Sequence, residues 1–145
     1  MSDAAIVKLH NPGQIHTPNG YSHLAEVTGG TIVFISGQVG LDAAGKLVGT
    51  DDFAAQLRQV FENLKVALGA ARASFNDVVK LNYYCADTVD LSIHFPSVRQ
   101  IRDSYVNTST PPASTFVIVK RLVRPELLIE VEAVAVVPKT GRAAR

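Results

Sequence analysis

The chain has 145 residues and a mass of 15.5 kDa, which is enough to bury a hydrophobic core and is typical of a single domain, residues 1–145. Hydrophobic residues make up 47% and charged residues 19%, a composition that excludes an intrinsically disordered chain. The net charge of +1 argues against a surface that binds nucleic acid through its phosphates. No apolar run is long enough for a membrane helix.

Targeting signals and cofactor motifs are also missing from the sequence. Residues 1–14 contain an acidic residue and an early proline, unlike a signal peptide, and the basic residues 138–145 are expected to form a frayed, solubilising end. The single cysteine, Cys85, forms no internal disulfide and is expected to be a small buried side chain. The four histidines lack metal-ligand spacing, and no glycine-rich nucleotide motif occurs. The sequence predicts a cytoplasmic protein without metal, cofactor or membrane contact, and argues against nucleic acid as a partner.

The first predicted elements are two strands and a helix. Residues 23–27 and 31–36 are short apolar runs on either side of Thr28-Gly29-Gly30, which predicts a hairpin. Residues 52–72 have apolar side chains at the three-and-four spacing of a helix face, namely Phe53, Leu57, Val60, Phe61, Leu64 and Leu68.

The second half of the chain adds three strands and another helix. Strands are predicted at 77–87, 114–122 and 127–137, and a helix from about Pro96 to Val106, with the proline in its first turn. The resulting order, ββαβαββ, predicts an α+β domain with a single sheet and two helices on one face.

The last strand indicates that both faces of this sheet are covered. One of its faces is wholly apolar, and Val134 and Val136 follow Glu130 and Glu132 on the other. A strand that is apolar on both faces needs cover on both, and two helices can supply it on only one. We therefore expect a second copy of the chain to cover the other face, in a homo-oligomer.

Four residues are candidates for chemistry. Glu130 and Glu132 share a strand face with their Cα atoms roughly 6.5–7 Å apart, and a carboxylate in a buried sheet needs either an ion partner or a function such as orienting a water as general base. The residues themselves leave both alternatives open. Tyr21 is expected either to pack or to close an apolar cleft. Ser114 is favoured as a strand-entry residue over a nucleophile, because no motif supplies a base.

Several segments together resemble the RidA family, also known as YjgF/YER057c/UK114 or L-PSP endoribonuclease-like proteins. The match spans about residues 20–137, and includes "GYSHLAEV", "FISGQVGLDAAGKLVG", a helical Q-x-x-x-x-x-E-N-L, "PPAST" and "IEVEAVAVV". This resemblance implies a chorismate-mutase-like fold, and a homotrimer whose sheets form a central barrel. It also implies that small-molecule ligands bind in clefts between neighbouring subunits.

The resemblance also implies an activity and the residues that carry it. Members of the family hydrolyse reactive enamines and imines, such as 2-aminoacrylate, to a keto acid and ammonia without a cofactor. Tyr21 matches the cleft tyrosine, Ser36 and Gly37 match the pair that lines the cleft, and Glu130 matches the glutamate that orients water.

The chain departs from the family at Ser114. Deaminating members read P-A-R-S, and the arginine binds the substrate carboxylate; here Ser114 stands in that place and Thr115 follows it. A hydroxyl does not replace the charge of a guanidinium. The chain is therefore assigned to an arginine-less branch, and an imine or enamine without the usual carboxylate is the expected substrate.

Further candidates for this altered site are His23, Arg102 and Glu132. His23 is a candidate acid or base, although an ordinary strand histidine is the simpler interpretation. Arg102, or Arg99, from the second helix could reach towards the substrate. Two other functions stay open, a non-catalytic metabolite-binding or regulatory trimer, and an endoribonuclease or translation inhibitor. The near-neutral charge argues against the last.

Overall fold

The computed structural model describes residues 5–139. Most of the basic end at 138–145, and the first four residues of the N-terminal segment, lie outside that range. The elements are β1 (Val7–His10), β2 (Leu24–Val27), β3 (Thr31–Val39), α1 (Phe53–Ala70), β4 (Val78–Ala86), α2 (Leu91–Asp103), β5 (Ala113–Val119) and β6 (Ile129–Val137), with a 3-10 turn at Phe75–Asp77. Two helices and mixed sheets confirm the predicted α+β class.

The strands form two sheets, so the expectation of a single sheet is wrong. The larger sheet has the order β3-β6-β4-β5, in which β4 and β5 are parallel and the other pairs are antiparallel. The predicted hairpin of β2 with β3 does not form. Four-residue β2 pairs instead with β1, a strand of equal length that the sequence did not reveal, while nine-residue β3 pairs with nine-residue β6.

Side-chain caps fix where both helices begin. Asp52 accepts a hydrogen bond from the backbone N–H of Ala55 and starts α1, whose buried face contains all six predicted apolar residues. The second helix begins at Leu91 and not near Pro96, because Asp90 caps it by accepting from the backbone N–H of Ser92. The proline therefore lies inside α2, where the helix forgoes one backbone hydrogen bond.

Both helices pack on the same face of the larger sheet. The inner face of β6 is buried in one core with α1 and α2, as its alternation predicts, and consists of Ile129, Val131, Ala133 and Ala135. Within residues 5–139 no helix lies over the opposite face, and the side chain of Phe34 there is 79% exposed. No helix within residues 5–139 is long and apolar enough to cross a membrane.

Candidate functional site

The uncovered face of the sheet carries Glu130 beside a bulge in β3. The register of β3 against β6 shifts between residues 35 and 38, so that Ser36 and Gly37 together oppose the single residue Glu132. A Cβ atom on Gly37 would overlap Oε1 of Glu130. Glycine at this position is therefore what gives the Glu130 carboxylate its place against the bulge.

The two glutamates of β6 have different environments. Glu132 accepts hydrogen bonds from Tyr84 Oη at 2.6 Å and Asn82 Nδ2 at 3.0 Å, and these bonds lower its pKa. Glu130 makes no side-chain hydrogen bond or ion pair within residues 5–139. Burial raises the pKa of Glu130, and the negative charge of Glu132 raises it further. Glu132 is thus a satisfied carboxylate, whereas Glu130 has free lone pairs and an increased affinity for a proton.

Thr115 lies on the same uncovered face, while Ser114 lies on the other. The register pairs Thr115 with Asn82 of β4, whose side chain is on the face of Glu132, and Thr115 Oγ1 accepts a hydrogen bond from Lys80 Nζ at 3.0 Å. Neighbouring residues of a strand point to opposite faces, so Ser114 is on the helix side. The two predicted binding residues of β5 therefore belong to different surfaces.

A cavity of about 290 Å³ between α2 and the start of β5 contains Ser114. The segment that includes Tyr21 is attached there because Ser22 donates two hydrogen bonds, from its N–H to Pro112 O at 3.1 Å and from Oγ to Pro111 O at 2.6 Å. The residues that line the cavity are Asn19, Gly20, Tyr21, Tyr83, Phe95, Val98, Arg102, Ser114 and Phe116. Tyr21 and Ser114, which are distant in sequence, thus meet in one cavity.

Arg102 brings a positive charge into this cavity. Its guanidinium lies against Gly20, where a Cβ atom would come within 2.5 Å of Nη2, and Gly20 has a φ of +81°. Asp103 holds the guanidinium from one side, with Oδ1 at 2.8 Å from Nε and 2.7 Å from Nη2. The other arginine of α2, Arg99, lies over the ring of Phe95. Of the two, Arg102 is the one that enters the Ser114 cavity.

The hydroxyl of Tyr21 is held by a histidine that the sequence did not single out. His16 Nε2 lies 2.7 Å from Tyr21 Oη, and His23 Nε2 donates to the backbone carbonyl of His16 at 2.7 Å. The ring nitrogen of His23 is therefore occupied in fixing the loop that carries His16. His16 lies in a proline-containing loop with no periodicity, so no sequence signal pointed to it.

Within one chain, the predicted site residues form two separate clusters. Glu130, Gly37 and Thr115 belong to the uncovered face, and Tyr21, Ser114 and Arg102 belong to the helix-side cavity, with the sheet between them. Residues 5–139 contain no group of three or more histidine, cysteine, aspartate or glutamate side chains that could hold a metal ion.

Known proteins match most of the chain. The profile of the family described as Endoribonuclease L-PSP matches residues 13–137. The 3-aminoacrylate deaminase RutC of Acinetobacter baylyi is 33% identical over 104 residues, 72% of this chain and 78% of the relative. The 2-iminobutanoate/2-iminopropanoate deaminase of Salmonella typhimurium is 34% identical over 109 residues, 74% of this chain and 80% of the relative.

A solved structure has a similar fold. The crystal structure of YyfB from Yersinia pestis, a protein of the conserved Rid family, superposes with a TM-score of 0.78 at 34% sequence identity. The superposition covers 91% of this chain and 99% of YyfB.

Proposed function

The chain belongs to the endoribonuclease L-PSP family, which includes deaminases of reactive enamines and imines, and we propose that it hydrolyses such a compound to a carbonyl product and ammonia. The observation that carries the proposal is the Glu130 carboxylate, which has free lone pairs, a raised pKa and a place made for it by Gly37. These are the properties of a base that accepts a proton from water.

The chemistry needs little more than a positioned water. The carbon of a protonated imine is already electrophilic, so a water oriented by Glu130 forms the C–O bond and passes a proton to the carboxylate. The same proton then reaches the nitrogen of the tetrahedral intermediate, and as the C–N bond breaks the remaining hydroxyl proton passes to Glu130, so that the C=O bond forms and ammonia leaves. Glu130 then releases this proton to ammonia, so that protonated imine and water are consumed, and carbonyl compound and ammonium ion are formed.

Glu132 assists through its charge. Because Tyr84 and Asn82 hold it in the ionised form, its negative charge persists at neutral pH beside Glu130. That charge favours protonation of Glu130 and so strengthens it as a base.

We further propose that the two clusters meet between copies of the chain in a homotrimer. The sheet separates Glu130 from the Tyr21–Ser114 cavity within one chain, so one subunit alone does not form a complete cleft. The exposed apolar side chains on the uncovered face, Phe34 at 79% and Ile32 at 53%, form the surface that a second copy would bury. The substitution at Ser114 then changes how the substrate is held, while Glu130 retains its role.

Ammonia release from imines generated in situ tests the proposed activity. We expect Glu130→Gln to lower the rate by about 10²–10⁴-fold, as for loss of a general base, while the protein stays folded. Glu126→Gln is the matched control, since Glu126 is paired with Arg124 outside both clusters. Wild-type protein that is folded but releases no ammonia would contradict the proposal and favour a metabolite-binding role.

A further inference from the structure

The Ser114 cavity contains a polar group that the proposed chemistry does not use. Tyr83 is only 3% exposed and lines the cavity, and its hydroxyl has no hydrogen-bond partner within residues 5–139. Burial raises the pKa of Tyr83, so the side chain stays a neutral hydroxyl. A buried hydroxyl without a partner is costly, and a ligand atom in the cavity would satisfy it.

Arg102 has donors to spare beside this hydroxyl. A guanidinium has five N–H groups, and Asp103 takes one on Nε and one on Nη2, which leaves three for another acceptor. The side chain is 15% exposed, so a contact made there is partly shielded from water. Because Asp103 already offsets part of the charge, the site suits a singly charged anion better than a doubly charged one.

The remaining walls are apolar and close together. Phe95 and Phe116 meet edge to face with ring centroids 5.9 Å apart, and Val98 lies beside them. A cavity of about 290 Å³ is at the small end of ligand sites. Such walls fit a short hydrocarbon chain attached to the anionic group.

We propose that this cavity binds the carboxylate of a small organic acid, with Arg102 as its charged anchor and the hydroxyls of Tyr83 and Ser114 as further hydrogen-bond partners. The inference rests on the proposed function and specifies its substrate as an imine or enamine that retains a carboxylate. The anchor then comes from α2, in place of the residue at 114 on β5. The sequence offered both Arg102 and Arg99 as a second source of positive charge, and of the two only Arg102 lines the cavity.

Binding can be measured without turnover, using the stable acid 2-oxobutanoate as the probe and its uncharged amide as the comparison. In an NMR titration of the full-length protein, we expect the acid to bind at least about tenfold more tightly than the amide. Arg102→Gln should remove this preference. Arg102→Lys keeps the charge but loses the paired N–H groups of the guanidinium, so it should retain part of the preference for the acid. This variant remains informative if the glutamine variant does not fold.

Arg99→Gln is the matched control, because it removes the same charge from the same helix, and the preference for the acid should persist. Equal affinity of wild type for acid and amide, an unchanged preference in Arg102→Gln, or tighter binding of inorganic phosphate than of 2-oxobutanoate would each overturn the proposal. Ammonia release separates this inference from the proposed function. Binding through Arg102 without any ammonia release would refute the activity alone, and release unaffected by Arg102→Gln would refute the anchor alone.

Discussion

The carboxylate of Glu130 occupies the space in which a side chain of residue 37 would begin. A bulge brings the backbone of Gly37 so close to Oε1 of Glu130 that no Cβ atom fits between them. The contact couples the two strands at the point where the proposed base is held.

Gly37→Ala should therefore impair catalysis by displacing Glu130. A displacement of about 1 Å costs on the order of 100-fold in rate, and we expect a loss of that size in ammonia release with the fold retained. Gly69→Ala on α1 is the control, since a Cβ atom there meets nothing within 4 Å. A Gly37→Ala variant as active as wild type would show that this position of Glu130 is not needed.

Glu132→Gln should move the acid limb of the pH–rate profile to lower pH. Burial is the main cause of the raised pKa of Glu130 and the charge of Glu132 is the second, so the substitution lowers that pKa without returning it to the ordinary range. A base must be ionised to act, so activity should persist to lower pH than in wild type. The measurement is kcat/KM across about pH 4 to 8, with Glu126→Gln as the unshifted control.

Gln56→Leu should destabilise the fold because it removes a three-way tether. The side chain is fully buried and donates to the carbonyls of Gly49 and Glu126, each at 3.0 Å, while accepting from the N–H of Leu128 at 2.9 Å. Leaving these groups unpaired should lower the free energy of unfolding by about 2–5 kcal/mol. Chemical denaturation measures the free energy of unfolding. Gln100→Leu, on the exposed side of α2, is the control and should change this free energy by less than about 0.5 kcal/mol.

Phe34→Glu should prevent the proposed assembly. A charge in the middle of a buried apolar contact is strongly unfavourable, so light scattering should give a smaller mass for the variant than for wild type. Val123→Glu provides a matched control, because Val123 is also 79% exposed but lies in the loop before β6. A wild-type mass of one chain would contradict the trimer outright.

The regular parts of the fold could be predicted from local patterns. The helix face of α1 and the alternation of β6 each repeat over many residues, so their periods identify them. The start of α2 was misplaced because Pro96 suggested a first turn, although Asp90 is the cap. β1 has only four residues, too few for its pattern to be detected. The strand that pairs with β2 could therefore not be predicted.

The site could be predicted only in part. Glu130 was identified from its strand face and from the family resemblance, and neither approach could show that Gly37 confines it. In the Ser114 cavity the guanidinium of Arg102 lies against Gly20, which is far away in the chain. Contacts of that kind arise from tertiary packing, so they cannot be predicted from the spacing of residues in the sequence.

The parallel pairing of β4 with β5 has a consequence for how easily the β5 edge of the sheet opens. Ser114 pairs with Leu81, and α2 must cross over between them, so this strand pair closes a long loop. Within residues 5–139 the outer edge of β5 is bridged only at Ala113, by Ser22, whereas β6 has a neighbour on each side. Amide protons of β5 should therefore exchange with solvent sooner than those of β6, because this edge opens at a lower cost in free energy. A ligand bound between α2 and β5 would slow that opening, and hydrogen exchange would then reveal occupancy even where no reaction occurs.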